Sequence, residues 1–399
     1  MSATVVPKSR SRLDAIVVPT ARPSSSLKHV IALSARLSVP LVVLCSKYAQ
    51  VERVAERVGR TFGARALVVE VPRHYQLPDG PELTSAERFR EASFDRASDL
   101  SVKRNLGLLL GRMLGWNSLL FVDDDITQFK QLQIERLTSV LDRHPVASMV
   151  SREFPDNSVV CHARRLAGLA QDVFVSGASL GVNLRHPNLS FFPDIYNEDW
   201  LFFARHAAAR SLPKIGEVKQ AEYLPFYDPE RAAREEFGDL LAEGLYALFE
   251  RTPGWEFKEQ LAAAGRKGHW EDFAASRRTM IQRTMDRLTQ AEYSVDNRTV
   301  LDAEESLRKA RKQAQGITPE LCVDFIESWQ EDELHWQRVL GRYTSVLSEP
   351  DALSELGLEK WISYGYGAEV RSAGPWSDPE PEAELPAAGA VLEGLALQG

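Results

Sequence analysis

The sequence predicts an α/β fold in which helices cover a mostly parallel sheet, followed by an α-helical region. Up to about residue 200, short runs rich in Val, Ile and Leu alternate with segments of helical period, as in parallel strands joined by helices. Beyond that point the pattern is helical and rich in Glu, Arg and Ala. Of the 399 residues, 44% are apolar and 26% are charged. This composition is typical of a globular chain and excludes a fibrous or wholly disordered one.

The first elements are short and well separated. In chain order they are a strand at 14–19, a helix at 25–37, a strand at 40–45, a helix at 49–62 and a strand at 66–71. The strands are predicted from apolar runs that are too short for helices, and Gly63 is the expected end of the second helix. Residues 72–97 are polar and without a clear period, with a loop expected at 78–81.

The clearest pattern lies midway through this α/β half. A helix that Asp99 caps runs into an apolar strand at 119–122, which ends in three consecutive carboxylates. Gly107, Gly111 and Gly115 recur every four residues and form a bare stripe on the helix. The stripe predicts close packing against a sheet or another helix, and the last glycine is the expected end of this helix.

Long helical patterns follow the α/β half, at 232–249, 257–291, 297–314 and 317–347. From residue 373 the chain is biased toward Pro, Glu, Ala and Gly, which predicts a disordered acidic tail. We therefore divide the chain into a flexible N-terminus, an α/β domain, a helical region and the tail, at residues 1–12, 13–230, 231–372 and 373–399. The helical region is compatible with a homo-oligomer.

Composition excludes several classes of function. The formal net charge is -8, so a strongly basic nucleic-acid surface is not expected. No run approaches the roughly 18 to 20 consecutive apolar residues of a transmembrane helix. The apolar run at 13–18 is too short for a signal peptide, and the cysteines show no CxxC spacing. We therefore expect a cytoplasmic protein with reduced thiols and no zinc framework.

Asp123, Asp124 and Asp125 stand where the predicted strand at 119–122 ends. Ligands of open α/β sheets bind beyond the carboxyl ends of strands, so a functional site is expected here. Adjacent carboxylates repel one another, and a hard divalent cation such as Mg²⁺ or Mn²⁺ would relieve that repulsion. If the segment is extended, the first and third carboxylates face one side and the second faces the other. The alternative is a solvated acidic loop.

Four motifs occur in the same order as in a known family. They are Val17-Val-Pro-Thr20, Lys103-Arg-Asn105, Asp123-Asp-Asp125 and Asn197-Glu-Asp-Trp200. Between about residues 13 and 230 the chain thus resembles the nucleotide-sugar glycosyltransferases of the GT-A fold, whose mark is an Asp-x-Asp at the end of a central strand. The resemblance implies a GT-A fold, a nucleoside diphosphate sugar as donor, an acceptor that stays unidentified, and a divalent metal.

The resemblance also implies roles for individual residues. In that family the loop after the first strand and the basic-Asn segment contact the nucleotide, the first Asp lies near the ribose, and the last Asp ligates the diphosphate-bound metal. Carried over, the nucleotide contacts are Pro19, Thr20, Arg22, Lys103, Arg104, Asn105 and Asp123, and the metal ligands are Asp123 and Asp125. The late histidine that many members use as a third ligand is absent from residues 220–228, which hold Tyr223, Tyr227 and Asp228.

The residue types suit this chemistry. Breaking a sugar-phosphate bond leaves negative charge on a nucleoside diphosphate, which a metal ion and Lys or Arg stabilise. Alternatively, Lys103 and Arg104 are solvated helix charges and Asn105 is a local hydrogen-bonding residue of the first turn.

Asn197 is a candidate N-cap with Glu198 and Asp199 in the first helical turn. The helix dipole favours their ionised form, as a general base requires. Adjacent helical residues point about 100° apart, so only one is expected to reach the acceptor hydroxyl. The resemblance implies an inverting enzyme with Asp199 as base and Glu198 as a neighbouring contact. The alternative is that both carboxylates merely stabilise the helix start.

Two further segments are candidates for the sugar and acceptor pocket. Small residues at 176–181 would permit close approach of a ligand, although a plain turn fits equally well. Phe191, Phe192 and Trp200 could stack on a sugar, or belong to the core. His162, His206 and His335 stand singly without a metal-binding spacing, which favours surface or structural roles.

Other readings of the acidic motif remain open. Residues 123–127 match Asp-x-Asp-x-Thr, the nucleophile motif of haloacid-dehalogenase-like phosphatases, with Lys214 and Asp239 as downstream partners. A nucleotidyltransferase would use the same nucleotide and metal groups. A non-catalytic module, in which the helices bind a partner, would leave the three carboxylates unexplained.

Overall fold

The computed structural model describes residues 12–152, 158–170, 176–290, 297–343, 345–365 and 370–373. The strands are β1 Ala15–Thr20, β2 Leu41–Cys45, β3 Ala66–Glu70, β4 Ser118–Val122, β5 Ile126–Gln128, β6 Val146–Arg152, β7 Ser179–Asn183, β8 Lys214–Gln220, β9 Trp361–Tyr364 and β10 Val370–Ala373. The helices are α1 Lys28–Leu37, α2 Val51–Gly59, α3 Glu87–Ala92, α4 Leu100–Met113, α5 Gln131–Val140, α6 Val159–Leu166, α7 Glu198–Phe202, α8 Ala204–Ala208, α9 Arg231–Arg251, α10 Phe257–Ala264, α11 Lys267–Gln290, α12 Asn297–Gly316, α13 Pro319–Arg342 and α14 Glu349–Glu355. Short 3-10 turns lie at Ser24–Leu27 and Leu83–Ser85.

The strands of the described residues form one mixed sheet in the order β10-β9-β3-β2-β1-β4-β7-β6-β8-β5. The neighbours β3, β2, β1 and β4 are parallel, whereas β7 runs antiparallel between β4 and β6. Strands β5 and β9 are also antiparallel to their neighbours. Most strands therefore run in one direction, as predicted, and the reversals fall beside and at the edges of the parallel core.

The central strands are buried on both faces, which explains their continuous apolar sequence. In β1, Ala15 and Val17 belong to one hydrophobic cluster, whereas Ile16 and Val18 belong to the cluster on the other face. All six residues of β1 are buried. The prediction of a helix-covered α/β sheet is confirmed.

Helix α4 packs closely on the sheet through its glycines. A Cβ atom on Gly107 would lie 2.9 Å from side-chain atoms of both Val17 and Phe121, which excludes a larger residue without repacking. Gly115 has a φ of 71° and follows the end of the helix, as predicted. Asp99 occupies the N-cap position but makes no side-chain capping bond, because its carboxylate pairs with Lys103 at 3.0 Å.

The helical region differs from the prediction in two respects. The pattern at 257–291 is two helices, α10 and α11, separated at Gly265 and Arg266. The end of the region returns to the sheet, where β9 pairs with β3 and β10 pairs with β9. One hydrophobic cluster contains strand residues such as Val17 together with Trp329 and Trp336 of α13, so the proposed division at residue 230 does not separate two cores.

The two terminal segments of the predicted division fall almost wholly outside the described residues, which begin at Arg12 and end at Ala373. Within the described part of the chain, no helix is both long and apolar enough to cross a membrane.

Candidate functional site

The predicted site residues meet in a cavity of about 160 Å³ at the carboxyl ends of β1 and β4. Its lining includes Pro19, Thr20, Arg22, Lys103, Arg104, Asp123, Asp125, Glu198 and Asp199. Four segments that are far apart in sequence deliver them: the end of β1, the start of α4, the turn after β4, and α7. Of the predicted residues, Asn105 is not part of this lining.

The acidic motif is a tight turn between β4 and β5. The backbone N–H of Ile126 donates to the carbonyl of Asp123 at 3.2 Å, so the segment is not extended. The expectation that Asp124 faces away from its neighbours is therefore wrong, because alternation applies only to extended backbone. All three carboxylates line the cavity.

Arg22 pairs with the second and third carboxylates of the turn. Its guanidinium donates to Asp124 at 2.7 Å and to Asp125 at 3.4 Å. The hydroxyl of Thr20 donates to the other oxygen of Asp124 at 2.6 Å. Burial raises the pKa of Asp124, and the nearby Arg22 opposes that shift. The loop after β1 is thus bound to the acidic turn.

Arg104 joins the acidic turn to α7. Its guanidinium donates to Asp123 at 2.8 Å and to Glu198 at 2.5 Å, and the arginine side chain is only 2% exposed. Burial opposes its charge, but Asp123, Glu198 and Asp199 outweigh that cost and raise the pKa of Arg104. The guanidinium also lies over the ring of Phe192, 5.4 Å from its centroid.

Lys103 and Asn105 bind other parts of the protein. The ammonium of Lys103 donates to the Thr20 carbonyl at 2.9 Å and the Ser46 hydroxyl at 2.7 Å, and pairs with Asp99. These contacts use its three donors. Burial lowers the pKa of Lys103, while Asp99 opposes that shift. The amide of Asn105 bonds the backbone N–H and carbonyl of Phe192, both at 2.8 Å, and the residue lines a different, larger cavity.

Asp199 is held by two backbone donors. One oxygen accepts from the N–H of Trp200 at 2.9 Å and the other from the N–H of Gly177. A Cβ on Gly177 would lie 2.8 Å from Cβ of Asp199. The absence of a side chain at Gly177 therefore leaves room for the side chain of Asp199. The carboxylate is buried yet lines the cavity beside Glu198.

Asn197 precedes α7 but does not cap it with its side chain, contrary to the prediction. It has a φ of 61° and makes no side-chain capping bond. Its amide instead donates to Asp239 of α9 at 2.8 Å. Helix α7 is also only five residues long, which weakens the dipole argument for its two carboxylates.

Two buried side-chain oxygens in the cavity wall bear on metal binding. Among the described residues, Oδ1 of Asp125 and Oε1 of Gln220 are buried without a hydrogen-bond partner. The Gln220 amide donates to the other oxygen of Asp125 at 3.1 Å. Within the same described ranges, no group of three or more His, Cys, Asp or Glu side chains could hold a metal. In the described part of the chain, one oxygen of Asp125 and one of Gln220 are thus left without partners, and oxygen is the ligand type that a hard cation prefers.

The aromatic candidates divide between cavity and core. Trp200 lines the cavity and packs on Tyr246 with ring centroids 4.6 Å apart. Phe191 and Phe192 are buried in the core, and Phe192 stacks on Phe202 at 4.1 Å. These two phenylalanines therefore fit a role in the hydrophobic core better than a role in stacking on a sugar.

Several lining residues were not among the predicted contacts: Arg96, Asp124, Tyr196, Gln220, Tyr223 and Arg231. The acidic run itself signals Asp124. The others stand at a strand end, in loops or at the start of α9, distant in sequence, so only the fold brings them to the cavity. His162 contacts this wall indirectly, because its Nε2 lies 3.1 Å from the hydroxyl of Tyr223.

The phosphatase constellation is not assembled. Lys214 is exposed at the start of β8 and does not line the cavity. Asp239 is buried on α9, where it pairs with Arg277 at 2.6 Å. Neither residue can serve a nucleophile in the acidic turn.

Comparisons with known proteins assign no family. No family model matches the sequence, and no curated protein matches it. Among solved structures, the chain is similar to the mannosyltransferase PcManGT from Pyrobaculum calidifontis in complex with GDP-Man and Mn²⁺. The identity is 13%, the alignment covers 84% of this chain and 90% of that one, and the TM-score is 0.38. Similarity at this level carries no conclusion about function.

Proposed function

We propose that the chain is a nucleotide-sugar glycosyltransferase of the GT-A type. The observation that supports this most directly is the cavity at the carboxyl edge of the sheet, which gathers the end of β1, the acidic turn and the Glu198–Asp199 pair. Ligand sites of open α/β sheets lie at this edge. The arrangement offers both cations for a diphosphate and a carboxylate for an acceptor hydroxyl.

The donor is bound through its diphosphate. In the reaction, the bond between the anomeric carbon and the diphosphate oxygen breaks, and its electron pair stays on the diphosphate. Arg22 and Arg104, already anchored by the acidic turn, supply fixed positive charge for that leaving group. A divalent metal held by Asp125, with Asp123 as the second carboxylate, would neutralise the same charge.

Asp199 acts on the acceptor. We assign it as the general base that takes the proton of the acceptor hydroxyl as its oxygen attacks the anomeric carbon with inversion. The two backbone hydrogen bonds fix the carboxylate in the cavity wall, as proton transfer to a positioned group requires. Glu198 is less available, because it is paired with Arg104.

A panel of nucleoside diphosphate sugars, run beside a generic phosphatase substrate, tests the proposal. Slow donor hydrolysis that needs a divalent metal supports a transferase. Phosphate release from the generic substrate alone would support a phosphatase, and pyrophosphate exchange with nucleoside triphosphates would support a nucleotidyltransferase.

Two variants then test the base. Asp199→Asn should slow turnover about 10²- to 10⁴-fold, because it removes the proton acceptor, while donor affinity stays within a few-fold. Glu198→Gln should lose less turnover. Near-normal transfer by Asp199→Asn with a collapse in Glu198→Gln would move the base to Glu198. Near-normal transfer by both would favour a retaining enzyme, in which the leaving phosphate takes the acceptor proton.

A further inference from the structure

A second, larger cavity adjoins the first. It has a volume of about 1680 Å³ and lies beyond the ends of β2 and β3, under the loop at 72–85. Arg96 and Asp99 line both cavities, so the two cavities meet at these residues. The smaller cavity is too confined for a whole nucleotide sugar, given that ligand pockets are typically about 300–1,000 Å³.

Arg96 is buried at this junction, where its guanidinium has an ion-pair partner, Asp194, but an incomplete set of hydrogen bonds. Its side chain is 3% exposed. Among the described residues, neither its Nε nor its Nη1 has a hydrogen-bond partner. The nearest carboxylate oxygen, on Asp194, is 3.7 Å from Nη1, too far for a hydrogen bond. Leaving such donors buried is costly, so the geometry is suited to an acceptor that enters from outside.

Other cations line the two cavities, together with carboxylates such as Asp95, Asp99 and Asp194. Lys47 and Arg73 line the larger cavity, and Lys103 lines the smaller one. Burial lowers the pKa of Lys47; Asp99 opposes this shift, and Lys103, Arg96 and Arg73 add to it. Asp99 does not neutralise Arg96, because it is paired with Lys103.

The backbone presents Arg96 to the junction through a strained turn. Phe94 and Asp95, the two residues before it, have φ values of 51° and 49°, a region that non-glycine residues seldom occupy. The backbone N–H of Asp95 closes the turn by donating to the carbonyl of Arg90 at 2.9 Å. This turn lies between α3 and α4.

We propose that Arg96 is the anchor of a phosphate-binding site where the two cavities meet. If the chain is a nucleotide-sugar transferase as proposed above, the ligand is the diphosphate of the donor. The nucleoside then occupies the larger cavity and the sugar points toward Asp199. Arg96 binds the diphosphate from the side opposite the acidic turn.

Pyrophosphate binding by the intact protein tests the site without any transfer reaction. We expect inorganic pyrophosphate to bind the wild type and to raise its melting temperature by mass action. Arg96→Gln should raise the Kd at least tenfold, and Arg96→Lys should fall between the two. Arg60→Gln is the matched control, since it removes an arginine whose side chain is 74% exposed and which lines neither cavity. Its Kd should stay within twofold of the wild type.

No pyrophosphate binding, or an equal Kd in wild type and a folded Arg96→Gln, overturns the site. Should Arg96→Gln fail to fold, an Arg96→Lys variant with unchanged Kd overturns it equally. Competition then identifies the source of the anion. Displacement of pyrophosphate by UDP or GDP supports the donor diphosphate, whereas simultaneous binding contradicts that assignment and points to a phosphorylated acceptor. Pyrophosphate binding without turnover of any sugar nucleotide would refute the proposed function and leave the anion site standing.

Discussion

Arg104 is the single residue on which the charge balance of the cavity most depends. It is buried, and it contacts Asp123 on one side and Glu198 on the other. Removing one member of a buried ionic group leaves its partners desolvated and unpaired, which is the costly case for buried salt bridges. Its role thus follows from two contacts that span three elements.

Arg104→Met should lower the free energy of unfolding by about 3–5 kcal/mol, because two carboxylates lose their partner in the cavity wall. Arg60→Met is the matched control, since Arg60 pairs with Glu56 at the surface and its side chain is 74% exposed. That pair should contribute at most about 1 kcal/mol. Urea denaturation of both variants measures the difference. Equal losses would show that the Arg104 contacts carry little energy.

A second buried charge cluster predicts that the stability of the folded protein depends on pH. On α11, Arg277 contacts Glu236 at 2.7 Å, Asp239 at 2.6 Å and Glu243 at 2.5 Å. One guanidinium cannot neutralise three carboxylates. Burial, only partly opposed by Arg277, therefore raises the pKa of Glu236 to about 7 from the ordinary 4.5.

The folded state holds this proton more tightly than the unfolded state. The contribution of Glu236 to the free energy of unfolding is therefore fully present below about pH 4.5 and is lost as pH rises through 7. Glu236→Gln stays neutral. Between pH 5 and pH 8 it should therefore gain on the order of 2–3 kcal/mol relative to the wild type. Urea denaturation at the two pH values measures this, with Glu271→Gln on the exposed face of α11 as control. A constant difference between variant and wild type would contradict the prediction.

At the site, the sequence could identify positions but not contacts. Lys103 and Arg104 are both predicted to face a nucleotide, and both do line the cavity. Their neighbours decide what they do, since Lys103 is used up by Thr20 and Ser46, whereas Arg104 pairs with the acidic turn. Those partners come from other elements, and no local pattern reveals them.

Among the elements, α4 shows how a glycine can be required by packing. At Gly107 the sheet side chains of Val17 and Phe121 come within 2.9 Å of where a Cβ would lie. The sequence predicts this close approach from the four-residue spacing alone. The acidic turn is the opposite case: Asp is common in turns, but the sequence pattern favours the extended end of a strand, and the hydrogen bond from Ile126 to Asp123 shows the turn.

Gly107→Ala should destabilise the protein by about 1–3 kcal/mol, because the added methyl overpacks the helix–sheet interface. Gly268→Ala on α11 is the matched control, since nothing lies within 4 Å of its Cβ position. Because alanine is the better helix former, the control should be neutral or stabilise by up to about 1 kcal/mol. Thermal melting of both variants measures the contrast. A Gly107→Ala variant as stable as the control would show that the sheet side chains repack around the added methyl at little cost.

For the whole molecule, the main departure from the sequence-based division is the return of the chain to its own sheet. Strand β9 pairs with β3, and Trp361 and Ile362 are buried. Lys360 pairs with Glu52 and Glu70, each at 3.0 Å. The run at 361–364 is only four residues long and follows a long helical stretch, so its partner strand could not be predicted from local pattern.

Two truncations separate the strand from the tail. A chain that ends at residue 373 should have nearly the melting temperature of the full-length protein, because the deleted segment is poor in residues that pack. A chain that ends at residue 359 should lose about 3–6 kcal/mol, since two large apolar side chains no longer cover the edge of β3. Differential scanning calorimetry measures both. Equal melting of the two truncated chains would mean that β9 contributes nothing.

The pairing of β3 with β9 also sets an order on biosynthesis. After β3 has been synthesised, the ribosome must still synthesise α3 to α14 before the partner strand β9 exists. At 5–20 residues per second, that interval lasts on the order of 15–60 s. Throughout it, the edge of β3 carries unpaired backbone groups that another nascent chain could join. The late strand therefore makes the young polypeptide dependent on protection by chaperones or on rapid completion of its own synthesis.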